Sequence, residues 1–227
     1  MIEKSSCKTK ISDKKAIQKK RIIKYFINAV IQIQEKEGLD AVTIRKVADI
    51  AGYNSATLYN YFENLDSLLF FASMEYFKEY INELPGKLEG EADSLKRYRI
   101  IWECFLKHSF NYPHNYYSIF FVKSESRPNE YLREYYTLFP LDTSGMSDDI
   151  KNMMTCEDLF SRGNIAINEC VKQGYFKEEE GYELNDVITY IYESFLYRVI
   201  NRDLDSDIAY EKINKYLSNM IEKYRIK

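Results

Sequence analysis

Apolar residues recur through most of this chain at the three- and four-residue spacing that lines one face of a helix. Residues 1–12 are polar and without period, which predicts a disordered tail. From residue 13 the pattern turns helical: Ile22, Phe26, Ala29 and Ile33 share a face, and Gly38 ends the run. Thr43 stands where a cap is needed for a second helix, whose face is Ile44, Val47, Ala48 and Ala51 and whose stop is Gly52. A third helix is expected over residues 55–62, with Leu58 and Phe62 inward, and a fourth over 64–84, closed by Pro85 and Gly86. Beyond Gly90 the pattern predicts helices over 93–112, 113–122, 127–139, 148–173, 185–202 and 206–224. Four prolines and eight glycines suit long helices better than strands and turns. The fold class is therefore all-α.

Composition changes the picture in two places. With 45% hydrophobic residues in 227, the chain can bury a substantial core. It has no apolar run of membrane-spanning length and no secretion-signal pattern, so no membrane partner is expected. Cys7, Cys104, Cys156 and Cys170 form no C-x-x-C pair and read as reduced thiols in a cytoplasmic protein. The net charge of −3 hides an asymmetry: residues 1–65 hold 12 basic against 7 acidic side chains. Residues 1–24 alone hold nine basic and two acidic ones. A basic head on an acidic body suits a polyanion partner, and it equally suits a solvated tail. On the first reading Lys14, Lys15, Lys19, Lys20 and Arg21 lie along a nucleic acid.

Residues 43–62, TIRKVADIAGYNSATLYNYF, decide between these readings. A helix-turn-helix needs a small residue at the helix crossing, a residue tolerant of positive φ in the turn, and an apolar lock on the second helix. Ala48, Gly52 and Leu58 supply them in that order. A purely structural hairpin meets the same spacing, but it leaves the second helix unexplained. The outer positions there are Ser55, Thr57, Tyr59, Asn60 and Tyr61, and no acidic residue occurs from Asn54 to Phe62. A water-facing helix normally mixes Glu with Lys. A face for DNA wants short donors and acceptors for base edges and hydroxyls for phosphates. Arg45 and Lys46 sit near the start of the preceding helix, where backbone amides also favour a phosphate.

The block AGYNSATLYNYFENLDSLL, preceded by TIRKVADI and by a helix ending EKEGLDAV, resembles the N-terminal pattern of the tetracycline-repressor (TetR) family over about 50 residues. The resemblance implies a three-helix DNA-binding domain followed by a helical ligand-binding and dimerisation domain. The corresponding divisions are a basic tail at 1–12, the DNA-binding domain at 13–63 and the second domain at 64–227. It also implies that Thr43 caps its helix and touches a phosphate, and that Arg45 contacts backbone or base. Asn54, Ser55, Ala56, Thr57 and Asn60 would read the major groove, with Tyr59 and Tyr61 on phosphates. For Tyr59, packing against the first helix stays open as a second reading. Two positions depart from the family: Leu65 stands where a phosphate-clamping lysine is usual, and Glu63 where a basic residue is common. Both changes argue for weaker phosphate binding.

The second half carries a dimer signal and a sensor signal. Val187, Ile191, Phe195 and Val199 make one stripe, and Ile188, Tyr192, Leu196 and Ile200 make another beside it. Two stripes suggest burial against both the chain itself and a partner; an ordinary internal helix is the alternative. Ile213, Leu217 and Met220 continue the pattern on the last helix, and the resemblance places a four-helix homodimer bundle on these two helices. Trp102, Phe105, Tyr116 and Phe120 are candidates to line a pocket for a small-molecule effector, with His108 and Glu157 as polar partners, or they are simply core. Cys104 and His108 stand one turn apart, but no third or fourth ligand stands near them in sequence, so neither a metal nor a cofactor is expected.

These observations converge on a transcription regulator, expected to be a repressor released from a palindromic double-stranded operator by its effector. The competing reading is a helical ligand-binding protein of the same fold with weak or lost DNA binding. An enzyme is not expected: the chain has no glycine-rich phosphate loop, no H-E-x-x-H and no G-x-S-x-G.

Overall fold

The computed structural model describes residues 3–122, 128–156 and 158–226, with side chains from residue 14 onward except at 128 and 129. Among the described residues there are eleven α-helices and no strand. They are α1 (Glu3–Glu37), α2 (Ile44–Ala51), α3 (Ser55–Tyr59), α4 (Leu65–Leu88), α5 (Ser94–Asn111), α6 (Pro113–Phe120), α7 (Pro128–Leu138), α8 (Asp148–Thr155), α9 (Leu159–Lys172), α10 (Glu178–Ile200) and α11 (Ser206–Tyr224). The all-α class predicted from periodicity holds. No helix among the described residues is long and apolar enough to cross a membrane.

The chain forms two compact units: Met1–Ala72 with Arg133–Pro140, and Ser73–Leu132 with Leu141–Lys227. In the first, Ile23, Phe26, Ile27, Val30 and Ile33 of α1 are buried together with Val47 and Ala48 of α2 and Leu58 of α3. Aromatic edges extend this core. The Phe62 ring meets Phe26 at 6.3 Å and Phe71 at 5.4 Å, and Phe71 meets Tyr135 at 5.4 Å, all near perpendicular. These contacts are why the first turns of α4 and residues 133–140 belong to this unit and not to the second.

Several boundaries differ from the periodic pattern. α1 reaches back to Glu3, through the segment expected as tail, and no glycine or proline interrupts it before Gly38. α3 ends at Tyr59, short of 62, because the Asn60 and Tyr61 N–H groups bond to Thr57 and Leu58, three residues back. α4 runs through Pro85 to Leu88. The proline removes one backbone bond, and burial of Phe77, Tyr80, Ile81, Leu84 and Leu88 along the same helix offsets that loss. α10 begins at Glu178, ahead of the expected 185, with Glu178, Glu179 and Glu180 in a first turn that favours negative charge.

The expected single helix over 148–173 is two helices. α8 ends at Thr155, and Asp158 caps α9 by accepting the Ser161 N–H at 2.8 Å. The break is held by a side chain from further along. The Arg162 guanidinium donates to the Cys156 carbonyl at 2.9 Å and the Met154 carbonyl at 3.0 Å, at the end of α8.

In the second unit α10 packs against α9, α11 and α6, while α5 packs against α9 and α11. The α9–α10 contact is close. A Cβ built on Gly163 would lie 1.8 Å from Asn185 Oδ1. Asn185 is fully buried and donates to the Phe160 carbonyl at 3.1 Å and to Asn164 Oδ1 at 2.9 Å, so it has little room to yield. Gly163→Ala is expected to destabilise the second unit by roughly 1–3 kcal/mol. Urea unfolding followed by circular dichroism would read this, and an unchanged midpoint would show that Asn185 moves aside freely.

Candidate functional site

The helix-turn-helix lies wholly within the first unit. Thr43 has extended backbone and accepts the Lys46 N–H at 3.3 Å, the capping role expected of it. Gly52 closes α2 at φ 76°, a left-handed conformation that a side chain would strain. Asn54 caps α3: its Oδ1 accepts the Thr57 N–H at 2.7 Å and the Thr57 hydroxyl at 3.0 Å. Leu58 and Phe62 turn inward and are buried.

The remaining candidates divide by exposure. Thr43, Arg45, Asn54, Ala56, Tyr59 and Asn60 are exposed, and Ser55, Thr57 and Tyr61 are half-buried. Tyr59 is 56% exposed, so it does not pack against α1. Tyr61 does lean inward, its ring 6.2 Å from Phe26. Lys46 is half-buried and its ammonium pairs with Glu37. Of the basic arm, Lys14, Lys15, Lys19 and Arg21 are exposed, while the Lys20 ammonium sits 5.2 Å from the centre of the Phe139 ring. A cleft lined by Lys14, Gln18, Arg21, Tyr25 and Tyr53 joins this arm to the turn after α2. Sequence reading passed over Tyr25 and Tyr53; a tyrosine on the outer face of a basic helix was the available signal. Glu63 is exposed and Leu65 half-buried, so neither supplies a phosphate clamp.

The second unit gathers four of the six effector candidates. Phe105 lies 5.9 Å from Trp102, 5.4 Å from Tyr116 and 5.7 Å from Phe120, ring centre to ring centre. Phe77, Tyr80 and Tyr192 complete this aromatic cluster; the sequence marks Tyr192 only as part of an apolar stripe, and the other two not at all. A mostly apolar cleft on its flank is lined by Tyr80, Ile101, Trp102, Phe105, Met153, Leu159 and Arg162. Among the polar groups of the cluster, two border the ring faces of Phe77, Phe105 and Phe120. The Tyr116 hydroxyl is buried without a hydrogen-bond partner among the described residues, and desolvation pushes its pKa well up, so it is a neutral phenol. Arg162 is 4% exposed, with its guanidinium 4.9 Å from the Phe77 ring and 5.2 Å from the Phe120 ring. Periodicity hid Arg162, which falls among the buried residues Leu159, Gly163 and Ile167 of α9. His108 is turned away toward Glu83, at 2.6 Å, and Glu157 lies outside the described residues.

The stripe candidates on α10 and α11 also divide. Val187, Ile191, Phe195 and Met220 are half-buried. Val199 is buried beside Ile188, Tyr192 and Leu196. Ile213 and Leu217 are buried with Ala209 and Ile221 in the chain's own core, which leaves their side chains no surface for a partner. Tyr190, Tyr197 and Tyr216 are exposed on the same two helices.

Residues 27–70 match the family model described as bacterial regulatory proteins of the tetR family. No curated protein matches the chain in sequence. Solved structures match it in fold. FadR from Thermus thermophilus, a TetR-family transcriptional repressor in complex with lauroyl-CoA, aligns with a TM-score of 0.57 at 13% identity, over 86% of this chain and 92% of that one. The fatty acid degradation regulator FadR from Bacillus halodurans aligns at 0.52 and 15% identity, over 86% and 93%. A TetR transcription regulator from Haloarcula marismortui aligns at 0.54 and 17% identity, over 90% and 98%. The chain therefore carries a TetR-family N-terminal domain at residues 27–70, within the all-helical fold of TetR-family transcription regulators.

Proposed function

We propose that this protein is a DNA-binding transcription regulator, a homodimeric repressor that leaves a palindromic operator when a small molecule enters its second unit. The observation that carries the DNA-binding part is the outer surface of residues 54–61: exposed amide and phenol groups without a carboxylate, on a TetR-family helix-turn-helix. Thr43, Arg45 and Lys46 hold phosphates beside it, with Lys19 and Arg21 extending the contact along α1. The chain divides at its first helix-turn-helix boundary into a reader, residues 13–63, and a sensing and dimerising remainder, 64–227. Release from DNA runs through α4, which is continuous from one unit into the other. A hundredfold loss of affinity needs about 2.7 kcal/mol of coupling, within the usual range.

One set of observations favours the second reading, a ligand-binding protein that holds DNA weakly. Lys46 is paired with Glu37, the Asn54 oxygen is engaged in capping, and Glu63 and Leu65 replace basic residues. Salt dependence separates the two.

For the effector we propose an apolar molecule with an anionic group. Its body meets Trp102, Phe105 and Phe120, its charge meets Arg162, and a polar atom satisfies the Tyr116 hydroxyl. Among similar folds, the Thermus thermophilus FadR structure holds lauroyl-CoA, which makes acyl anions the natural first probes.

Four outcomes are expected. On DNA from the chain's own promoter, Tyr59→Ala and Asn60→Ala should each weaken binding by about 1–3 kcal/mol in fluorescence anisotropy. Neutralising Lys19, Lys20 and Arg21 together should flatten the log K against log salt slope by about one unit for each lost phosphate contact. Wild-type affinity in all of these variants would favour the second reading. Trp102 is the only tryptophan, so its fluorescence reports the cavity. Laurate or lauroyl-CoA should change it, dodecanol should do so less, and Arg162→Gln should remove the difference; equal responses would rule out an anion-selecting Arg162. Finally, Ile191→Glu with Phe195→Glu should convert the dimer to monomer in analytical ultracentrifugation, and a dimer that survives would place the interface elsewhere.

A further inference from the structure

α4 and α5 bring together a carboxylate, a thiol and an imidazole that neither the DNA-reading surface nor the aromatic cleft uses. Cys104 and His108 stand one turn apart on α5 and are 2% and 4% exposed. Glu83 approaches from α4. One ligand atom from each of the three lies within 4.8 Å of the other two. Both oxygens of Glu83 accept from Lys107, whose Nζ is also 3.2 Å from Oε2. Oε2 is 2.6 Å from His108 Nε2, while Oε1 is 3.1 Å from Lys107 Nζ and 3.2 Å from Lys87 Nζ. The other ring nitrogen, Nδ1, is buried without a hydrogen-bond partner among the described residues and lies 3.7 Å from Glu79 Oε2. The imidazole has one nitrogen against the Glu83 carboxylate and the other near Glu79, with the Cys104 thiol one turn away on the same helix.

We propose that Glu83, Cys104 and His108 are a binding site for one divalent transition-metal cation of the zinc type, held between α4 and α5. The donor set of one sulfur, one nitrogen and one oxygen suits a borderline cation and not magnesium or calcium, which prefer oxygen alone. Zinc bonds of about 2.0–2.3 Å at tetrahedral angles put ligand atoms roughly 3.3–3.6 Å apart. The present separations, from 2.6 Å to within 4.8 Å, bracket that value, so rotamer changes suffice. On metal entry the Glu83–His108 contact opens, Oε2 and Nε2 turn to the cation, and Oε1 keeps its lysines. The Nδ1–H then donates to Glu79, the carboxylate–histidine–metal arrangement that fixes the imidazole tautomer. Three protein ligands leave a fourth position for water or another small donor.

The charges balance. Glu83 is ionised already: hydrogen bonds from Lys107 and then His108 hold its carboxyl down to about 2. Burial pushes the Cys104 thiol up to about 11, so it is protonated before a metal binds, and binding releases its proton to solvent. Thiolate and carboxylate together match the two positive charges of the ion. Lys87 and Lys107 oppose the cation and Glu79 attracts it. The site stands independently of the DNA-binding reading.

The test titrates the full-length, metal-stripped protein with zinc against a chromogenic chelator, and with cobalt by absorption. One equivalent is expected, with a thiolate-to-cobalt charge-transfer band. Cys104→Ser should remove the band, and Glu83→Gln and His108→Gln should each weaken zinc binding more than about tenfold. Glu79→Gln should weaken it by roughly 10–100-fold, the usual size of such supporting contacts. The Cys7→Ser, Cys156→Ser double variant should bind as wild type does. The proposal falls if wild-type protein gives no thiolate band, an outcome that does not depend on how any variant folds. It falls equally if the band survives Cys104→Ser or disappears in the double variant.

Discussion

The second unit is organised around a charge that cannot reach water. A guanidinium at 4% exposure carries a desolvation penalty of several kcal/mol unless its hydrogens and its charge find partners. Arg162 finds carbonyls at the end of α8 and the faces of Phe77 and Phe120. Those partners come from different parts of the chain. The carbonyls require that α8 stop at Thr155 and the backbone turn; the rings require that α4 and α6 lie against α9. The Gly163–Asn185 contact then lets α10 close on the other side. The break between α8 and α9 and the placing of the Phe77 and Phe120 rings both serve this one side chain. The same arrangement leaves a cation bordering a mostly apolar cleft.

The first unit resolves a different tension. A helix as short as α3 has no internal length to stabilise it, so its cap and its buried side matter most. Asn54 satisfies the N-terminal amide of Thr57, Leu58 is buried, and Phe62 fastens the exit to Phe26 and Phe71. That leaves Ala56, Tyr59 and Asn60 outward without a structural task. The division has a cost for recognition. Thr43 and Asn54 serve as caps, and a capping oxygen is already an acceptor in use, so on the proposed reading these residues would meet a nucleic acid through their remaining atoms.

How much was legible in the sequence follows from how local each cause is. The helix-turn-helix was readable because Thr43, Ala48, Gly52, Asn54 and Leu58 act on neighbours within a few residues. The ends of α5, α6 and α11 were close for the same reason. The division of 148–173 into two helices was not readable, since its cause is Arg162 reaching back to Met154 and Cys156. Pro85 and Gly86 looked like a stop, yet burial along the whole of α4 outweighed one missing bond. On α11, periodicity identified Ile213 and Leu217 as apolar but carried no information on whether chain or partner covers them; the chain does. The Cys104–His108 pair shows the limit most sharply. Their spacing was plain, and the case against a metal rested on the lack of a third ligand in the neighbouring sequence. Glu83 lies 21 residues before Cys104 and on another helix, so only packing of α4 on α5 brings it within reach. Sequence spacing bounds the ligands that one helix can offer. It says nothing of those that a neighbouring helix supplies, and inter-helix sites are therefore the class that pattern reading misses first.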